Sequence, residues 1–168
     1  IRDRSICTSL NHVVCHGIPG ERVLEDGDIL NIDVTAILHN HYGDTSRMFT
    51  VGKPSVKSMN LINVTYESLM KSIEILKPGK KLGDIGHEIQ THVEKAGFSV
   101  VRDFCGHGIG DVFHQSPNVL HYGKKDTGPE LQPGMTFTIE PMINAGKYEV
   151  KILNDGWTVS YTHLRAHE

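Results

Sequence analysis

Asp33 and Asp44 are the first residues of this sequence to suggest chemistry. Each sits in a stretch of apolar and β-branched residues, where aspartate is disfavoured and rarely buried without a partner. In a hairpin turning near His39 the two fall roughly opposite each other and share a face. Two carboxylates held that way repel, and a cation between them removes the repulsion; hard divalent ions favour such oxygens. A histidine follows in Cys105-Gly106-His107-Gly108-Ile109-Gly110, where glycines let the backbone approach something bulky. Imidazole is the commonest neutral metal ligand among side chains. Glu140 ends an alternating stretch, and Pro141 after it holds it extended. Singly, each fits a solvated strand residue or a loop histidine. Together they form a mixed carboxylate–imidazole shell, better suited to a pair of first-row divalent ions than to a structural zinc, which prefers cysteines. Two-metal sites hold their ions roughly 3.5–4 Å apart and clamp both the attacking and the leaving oxygen.

These residues need strands to carry them. The clearest runs from Asp28 to Leu38, with Ile29, Asn31, Asp33, Thr35 and Ile37 on one face. After a polar break at His39-Asn40 a second strand runs to about Val51, completing a hairpin. Ser5 to Leu10 alternates weakly as a further strand, and Gly17-Ile18-Pro19-Gly20 is a turn. Pro54 opens a helix at its first turn, with Ile62, Tyr66, Leu69, Ile73 and Leu76 as its apolar stripe and Pro78-Gly79 as its end. A second helix runs from about Leu82 to Ala96 with the stripe Leu82, Ile85, Ile89 and Val93, stopped by Gly97. Short strands follow at Phe98 to Val101, Met135 to Glu140, Val150 to Leu153 and Trp157 to Ser160. Strand, hairpin, two helices and more strands read as α+β, one domain without an internal repeat or linker.

Composition narrows the partners. The 168 residues fit one domain with a real core, and a net charge of -3 points to neither nucleic acid nor another polyanion. The longest apolar runs are short and broken by charge, so no membrane span is expected, and no signal peptide opens the chain. Cys7, Cys15 and Cys105 are too few and too odd for a disulfide framework and fit a reducing cytoplasm. The first residue is Ile1, so the chain is expected to start inside a longer protein.

Six segments carry a family resemblance: VCHGIP (Val14 to Pro19), NIDVT (Asn31 to Thr35), GDTSRMF (Gly43 to Phe49), CGHGIG (Cys105 to Gly110), FHQSPNVLHY (Phe113 to Tyr122) and TFTIEPM (Thr136 to Met142). In order and approximate spacing they resemble the type I methionine aminopeptidases, and the likeness extends to about Thr158. The resemblance implies the pita-bread fold and removal of the initiator methionine from nascent polypeptides. It implies a monomer that acts in the cytoplasm, in contact with the ribosome at most as a further partner. It makes Asp33, Asp44, His107 and Glu140 four of five ligands to two divalent ions, with Mn, Fe, Co, Ni or Zn all suited to the shell. His16 and His114 match the two catalytic histidines that are not ligands. Cys7, Phe113 and Trp157 match walls of the methionine pocket. Asn11 and Val13 match positions where some members bind a monovalent cation through backbone oxygens. A water bridging the two ions would lose its proton at about pH 7 and attack the peptide carbonyl. His114 would then stabilise the oxyanion, His16 would contact the peptide beyond the scissile bond, and Glu140 would pass a proton to the leaving amine. A pocket of sulfur and aromatic groups suits a thioether.

Residues 1–158 are thus expected to be a partial catalytic domain. Residues 159–168 depart from the family pattern, which continues to a fifth ligand, a glutamate in a segment like SAQFEHT. They equal one reading frame of a common sequencing adapter, so a non-native tail is expected there, and Glu168 is not assigned the missing role. Without the fifth ligand the chain alone is expected to be poorly active and the pita-bread fold incomplete. Other histidines read more plainly: His87 and His92 as a helix face, His39 and His41 as a solvated hairpin tip. His12 stands where the family carries an acidic residue. His121 is placed near the cleft without a role, and Cys15 is read as a small buried residue rather than a nucleophile. Two alternatives remain at this level: a proline-specific aminopeptidase or prolidase with the same metal set, and a non-catalytic binding module of the same fold.

Overall fold

The computed structural model describes residues 5–162. In chain order its elements are β1 (Ile6–Leu10), β2 (Val13–Cys15), β3 (Ile29–Leu38), β4 (His41–Thr50), α1 (Val56–Glu74), α2 (Leu82–Lys95), β5 (Ser99–Val100), β6 (Gly106–Gly108), β7 (Gln115–Val119), β8 (Ile143–Asn144), β9 (Val150–Ile152) and β10 (Val159–Tyr161).

The expected hairpin is the longest feature. β3 and β4 pair antiparallel from Ile29 opposite Thr50 to Leu38 opposite His41. His39 and Asn40 turn the chain with φ of 50° and 62°, the left-handed pair that a two-residue hairpin turn requires. β1 pairs with the other edge of β3, giving the order β1-β3-β4. A second three-stranded sheet has the order β2-β10-β9, and β5-β8 and β6-β7 form two-stranded pairs.

α2 buries the anticipated stripe. Leu82, Ile85, Ile89 and Val93 are at most 4 % exposed and join Val64, Val100, Val119 and Leu131 in the core. The helix opens where the Asp84 carboxylate accepts the Lys81 amide at 2.9 Å, and it stops at Gly97, whose φ is 82°.

α1 differs from expectation in two ways. Pro54 stands outside the helix; Ser55 is the cap, its Oγ accepting the Ser58 amide at 3.0 Å. That satisfies an orphan donor that a proline at the first turn would not. The buried residues are Val64, Ser68 and Ser72, whereas Tyr66 and Ile73 are exposed. The serines bury at little cost because their hydroxyls donate to the carbonyls of Thr65 and Leu69, at 2.7 Å each. Leu69, Ile73 and Leu76 of the expected stripe instead line a groove with Phe137 and Ile139.

The stretch from Met135 to Glu140 is extended but is not a strand. Its one bridge joins Phe137 to Gly108, supported by Ile109 N–H to Thr136 O at 3.1 Å and Thr138 N–H to His107 O at 2.8 Å. β6 is short, so the ladder ends there, but the contact suffices to bring Glu140 beside His107. Val159–Tyr161, the first residues of the expected non-native segment, form β10 between β2 and β9, with Val159 fully buried. Pairing through the main chain asks only for an extended backbone and a side chain that fits. Residues 163–168 of that segment lie outside the described residues.

Candidate metal centre

Asp33 and Asp44 share a face of the β3–β4 hairpin but are not directly opposite. Asp33 pairs with Ser46, and Asp44 with Thr35, so the two carboxylates lie on a diagonal. That spacing is within reach of side chains. The Thr35 hydroxyl donates to Asp44 Oδ1 at 3.3 Å.

His107 comes in from β6. Its Nδ1 lies 3.0 Å from the Gly108 carbonyl, an acceptor, so Nδ1 carries a proton and Nε2 is the nitrogen turned toward the site. Nε2 faces Glu140 Oε1 at 3.5 Å and Asp44 Oδ2 at 3.8 Å. One donor atom from each of Asp44, His107 and Glu140 lies within 4.8 Å of the others. The flanking glycines explain the close fit. A Cβ on Gly106 would meet the Thr138 carbonyl oxygen at 2.3 Å, and one on Gly108 the Ser116 carbonyl oxygen at 2.2 Å. The bulky neighbour expected from the sequence is therefore backbone on both sides.

Thr138 joins two of these residues. Its hydroxyl accepts the His107 amide at 3.0 Å and donates to Glu140 Oε1 at 2.7 Å. The acids are nonetheless crowded. Burial, then the charges of Asp44 and Glu140, push the Asp33 carboxyl up to about 7. Burial raises Glu140 as well, against the hydrogen bond from Thr138. A carboxylate cluster in which Asp33 is raised to about 7 fits a bound cation, whose charge would replace the proton. The donor set, Asp44, His107 and Glu140 with Asp33 on the neighbouring diagonal, is carboxylate and imidazole and fits first-row divalent ions.

The remaining expected residues surround this cluster. Cys7 pairs with Asp33 across β1 and β3, and its thiol is raised by burial and by the two aspartates. His16 stacks on Trp157 at 4.6 Å and meets Phe104 edge-on at 5.4 Å. Its φ of 58° is unusual for a histidine and turns the ring out of β2. Asp155 shapes this corner by accepting the amides of Trp157 and Thr158, at 2.9 and 2.8 Å. On the other side Phe113 lies 3.9 Å from His114 and stacks on Tyr42 at 5.4 Å, and His114 lies 4.2 Å from His107. Burial lowers both His16 and His114, and each is lowered further by a neighbouring histidine, so both rings favour the neutral form. Cys15 is driven upward by burial, which keeps it a thiol.

Asn11 and Val13 flank the turn from β1 to β2. The Asn11 side chain is engaged elsewhere, donating to Asp28 at 2.6 Å and accepting the Ile29 amide at 3.0 Å. Sequence reasoning missed Thr35, Tyr42, Phe104 and Thr138, and left His121 without a role. Each acts through contacts that no periodicity reports.

Residues 2–164 match the model described as metallopeptidase family M24. A curated relative from Rickettsia prowazekii (strain Madrid E), called methionine aminopeptidase, is 59% identical over 158 residues, covering 94% of this chain and 61% of its own. The crystal structure of methionine aminopeptidase from Rickettsia prowazekii superposes with a TM-score of 0.91 at 59% identity, over 92% of this chain and 63% of that one. The prolidase from Pyrococcus furiosus gives a TM-score of 0.73 at 25% identity, over 82% and 41%. The chain thus spans about three fifths of the length of the first two relatives. The fold shared with these structures is the α+β pita-bread arrangement that the resemblance implied.

Proposed function

The chain belongs to metallopeptidase family M24, and from that premise we propose that it is the larger part of an aminopeptidase that removes the initiator methionine from nascent polypeptides. The observation that carries this reading is the convergence of Asp44, His107 and Glu140, with Nε2 of His107 3.5 Å from Glu140 and 3.8 Å from Asp44.

Asp33, Asp44, His107 and Glu140 would hold two divalent ions, with Mn, Fe, Co, Ni and Zn all compatible. When bound, such ions polarise a carbonyl and lower the pKa of water to about 7. The protein's own groups do the rest. His114, neutral and beside His107, donates a hydrogen bond to the carbonyl oxygen as negative charge develops. His16, held against Trp157, contacts the peptide beyond the scissile bond. Glu140, raised by burial, carries a proton to the leaving amine. Cys7, Phe113 and Trp157 accept the methionine side chain, whose thioether packs favourably on aromatic rings. The carbonyls of Asn11 and Val13 are offered as a monovalent cation site. A monomer acting in the cytoplasm, on polypeptides leaving the ribosome, follows from the same reading; no helix among the described residues is long and apolar enough to cross a membrane.

The methionine reading is favoured over the prolidase reading by the identities, 59% against 25%. The test is a peptide panel with added Mn²⁺ or Co²⁺: Met-Ala-Ser against Ala-Pro. Release of methionine alone is expected. Cleavage of Ala-Pro alone would transfer the assignment to the proline-specific enzymes. Metal binding with neither peptide cleaved, in this chain and in one extended to its relatives' length, would leave the binding-module reading.

A further inference from the structure

His121 takes no part in the chemistry assigned above, yet it is 1 % exposed and lies against the site. Its Nε2 is 3.1 Å from the backbone nitrogen of Glu140. An amide can only donate, so Nε2 accepts and the ring proton is on Nδ1. Among the described residues Nδ1 has no partner. A phenylalanine or leucine would fill this space without burying an unpaired donor, which is costly. The contact at Nε2 is therefore what a histidine brings to this position.

The segment carrying His121 is seated on a rigid element. A Cβ on Gly86 of α2 would meet the carbonyl oxygens of Leu120 and Tyr122 at 2.7 and 2.5 Å, so the residues on either side of His121 lie directly on the helix backbone. α2 is the helix whose apolar face forms the core. The stretch that bears Glu140 is less well held. Its bridge to β6 is at Phe137, its last main-chain bond to that strand is at Thr138, and Pro141 has no amide to offer. Thr138 tethers the carboxylate of Glu140, and His121 tethers its main chain.

We propose that His121 is a positioning residue for Glu140: its neutral ring, mounted on α2, accepts the Glu140 amide and thereby sets the direction from which the carboxylate meets the divalent ions. This rests on the reading of Glu140 as a metal ligand. Partners that orient ligands without touching the metal typically alter metal affinity by about 10–100-fold when removed.

The test is Mn²⁺ titration of the 168-residue chain, followed by the spin-resonance signal of the free ion, in wild type, His121→Phe and His121→Gln. Phenylalanine keeps the shape and removes the acceptor; glutamine carries an acceptor oxygen at a similar reach. His121→Phe is expected to bind Mn²⁺ about tenfold or more weaker, with the metal-free melting temperature lowered only by the loss of one hydrogen bond, and His121→Gln is expected to recover most of both losses. Wild-type affinity in His121→Phe, or equal weakness in both variants, would overturn the proposal. ¹⁵N NMR of the wild type gives a second reading that needs neither a variant nor metal. It should show a bare, hydrogen-bonded Nε2 on His121 and slow exchange of the Glu140 amide. A protonated Nε2 would overturn the proposal even if His121→Phe does not fold. If the wild-type chain takes up no Mn²⁺, the metal reading fails by itself, and the nitrogen shifts still decide the contact.

Discussion

The raised Asp33 carboxyl makes metal uptake a contest with a proton, and the contest has a calculable slope. With its carboxyl held up to about 7, Asp33 is roughly nine-tenths protonated at about pH 6 and one-tenth at about pH 8. An ion that needs the carboxylate must displace that proton, so apparent affinity should rise about tenfold between those values, or about 1.4 kcal/mol. Without metal the same shift acts on stability with a definite sign. The folded chain retains a proton that the unfolded chain releases at the ordinary aspartate value. This contribution is fully present below that value and is lost as the pH rises through about 7. The metal-free melting temperature should therefore fall across that window, and saturating Mn²⁺ should flatten the fall. Calorimetric titration in buffers of different ionisation enthalpy measures both affinity and proton release. The comparison is Asp33→Asn, expected to bind more weakly, to release about one proton fewer at about pH 6, and to melt higher than wild type in metal-free neutral buffer. An affinity that is level from about pH 6 to pH 8, or proton release unchanged in Asp33→Asn, would refute the reasoning.

Thr138→Val removes the hydroxyl that joins the His107 amide to the Glu140 carboxylate. It should cost about 1–3 kcal/mol in urea unfolding and weaken Mn²⁺ binding about tenfold. Asp155→Ala frees the amides of Trp157 and Thr158. The chain has a single tryptophan, so its fluorescence reports the change directly: a shift to longer wavelength is expected as the indole leaves His16, and an unchanged spectrum would show that the turn stands without the carboxylate. Ile85→Ala empties a fully buried core position and should cost about 2–5 kcal/mol, read from the urea midpoint, with little effect on metal affinity beyond that loss.

The parts of the fold that were legible in the sequence are those where periodicity and burial coincide. Asp28 to Leu38 alternates because one face of the β3–β4 hairpin is the site, and the α2 stripe is regular because it is the core. Reading failed where the contact partner is remote or the buried group is small. α1 buries Val64 with two serines, so Leu69, Ile73 and Leu76 of the expected stripe mark a groove instead of the helix contact. β6 and β7 were not expected as strands, since glycine and proline depress strand propensity. Glycine is nevertheless required on both sides of His107, where backbone closes in. The diagonal of Asp33 and Asp44 turned on the placement of the hairpin turn: with His39 and Asn40 as its two residues, Asp44 pairs with Thr35 instead of Asp33.

That diagonal has a consequence for how the site assembles. Direct opposition would place the two carboxylates on one rung, where mutual repulsion is strongest and the space for ions smallest. Offset along the strands, they leave room for His107 and Glu140 to enter from β6 and the extended stretch beside it. The hairpin can then form first from local contacts, since its turn closes only two residues. His107 and Glu140 reach it only after the segments beyond α2 have packed, because their tethers run through Thr138, Gly106 and Gly108. The carboxylate crowding that raises Asp33 is thus completed late, by Glu140, and the divalent ions would bind most tightly to the finished fold. Metal should accordingly slow unfolding more than it speeds folding. Stopped-flow unfolding in urea with and without Mn²⁺ would show this as a lowered unfolding rate, and an equal acceleration of folding would mean that the cluster forms before the segments beyond α2 have docked.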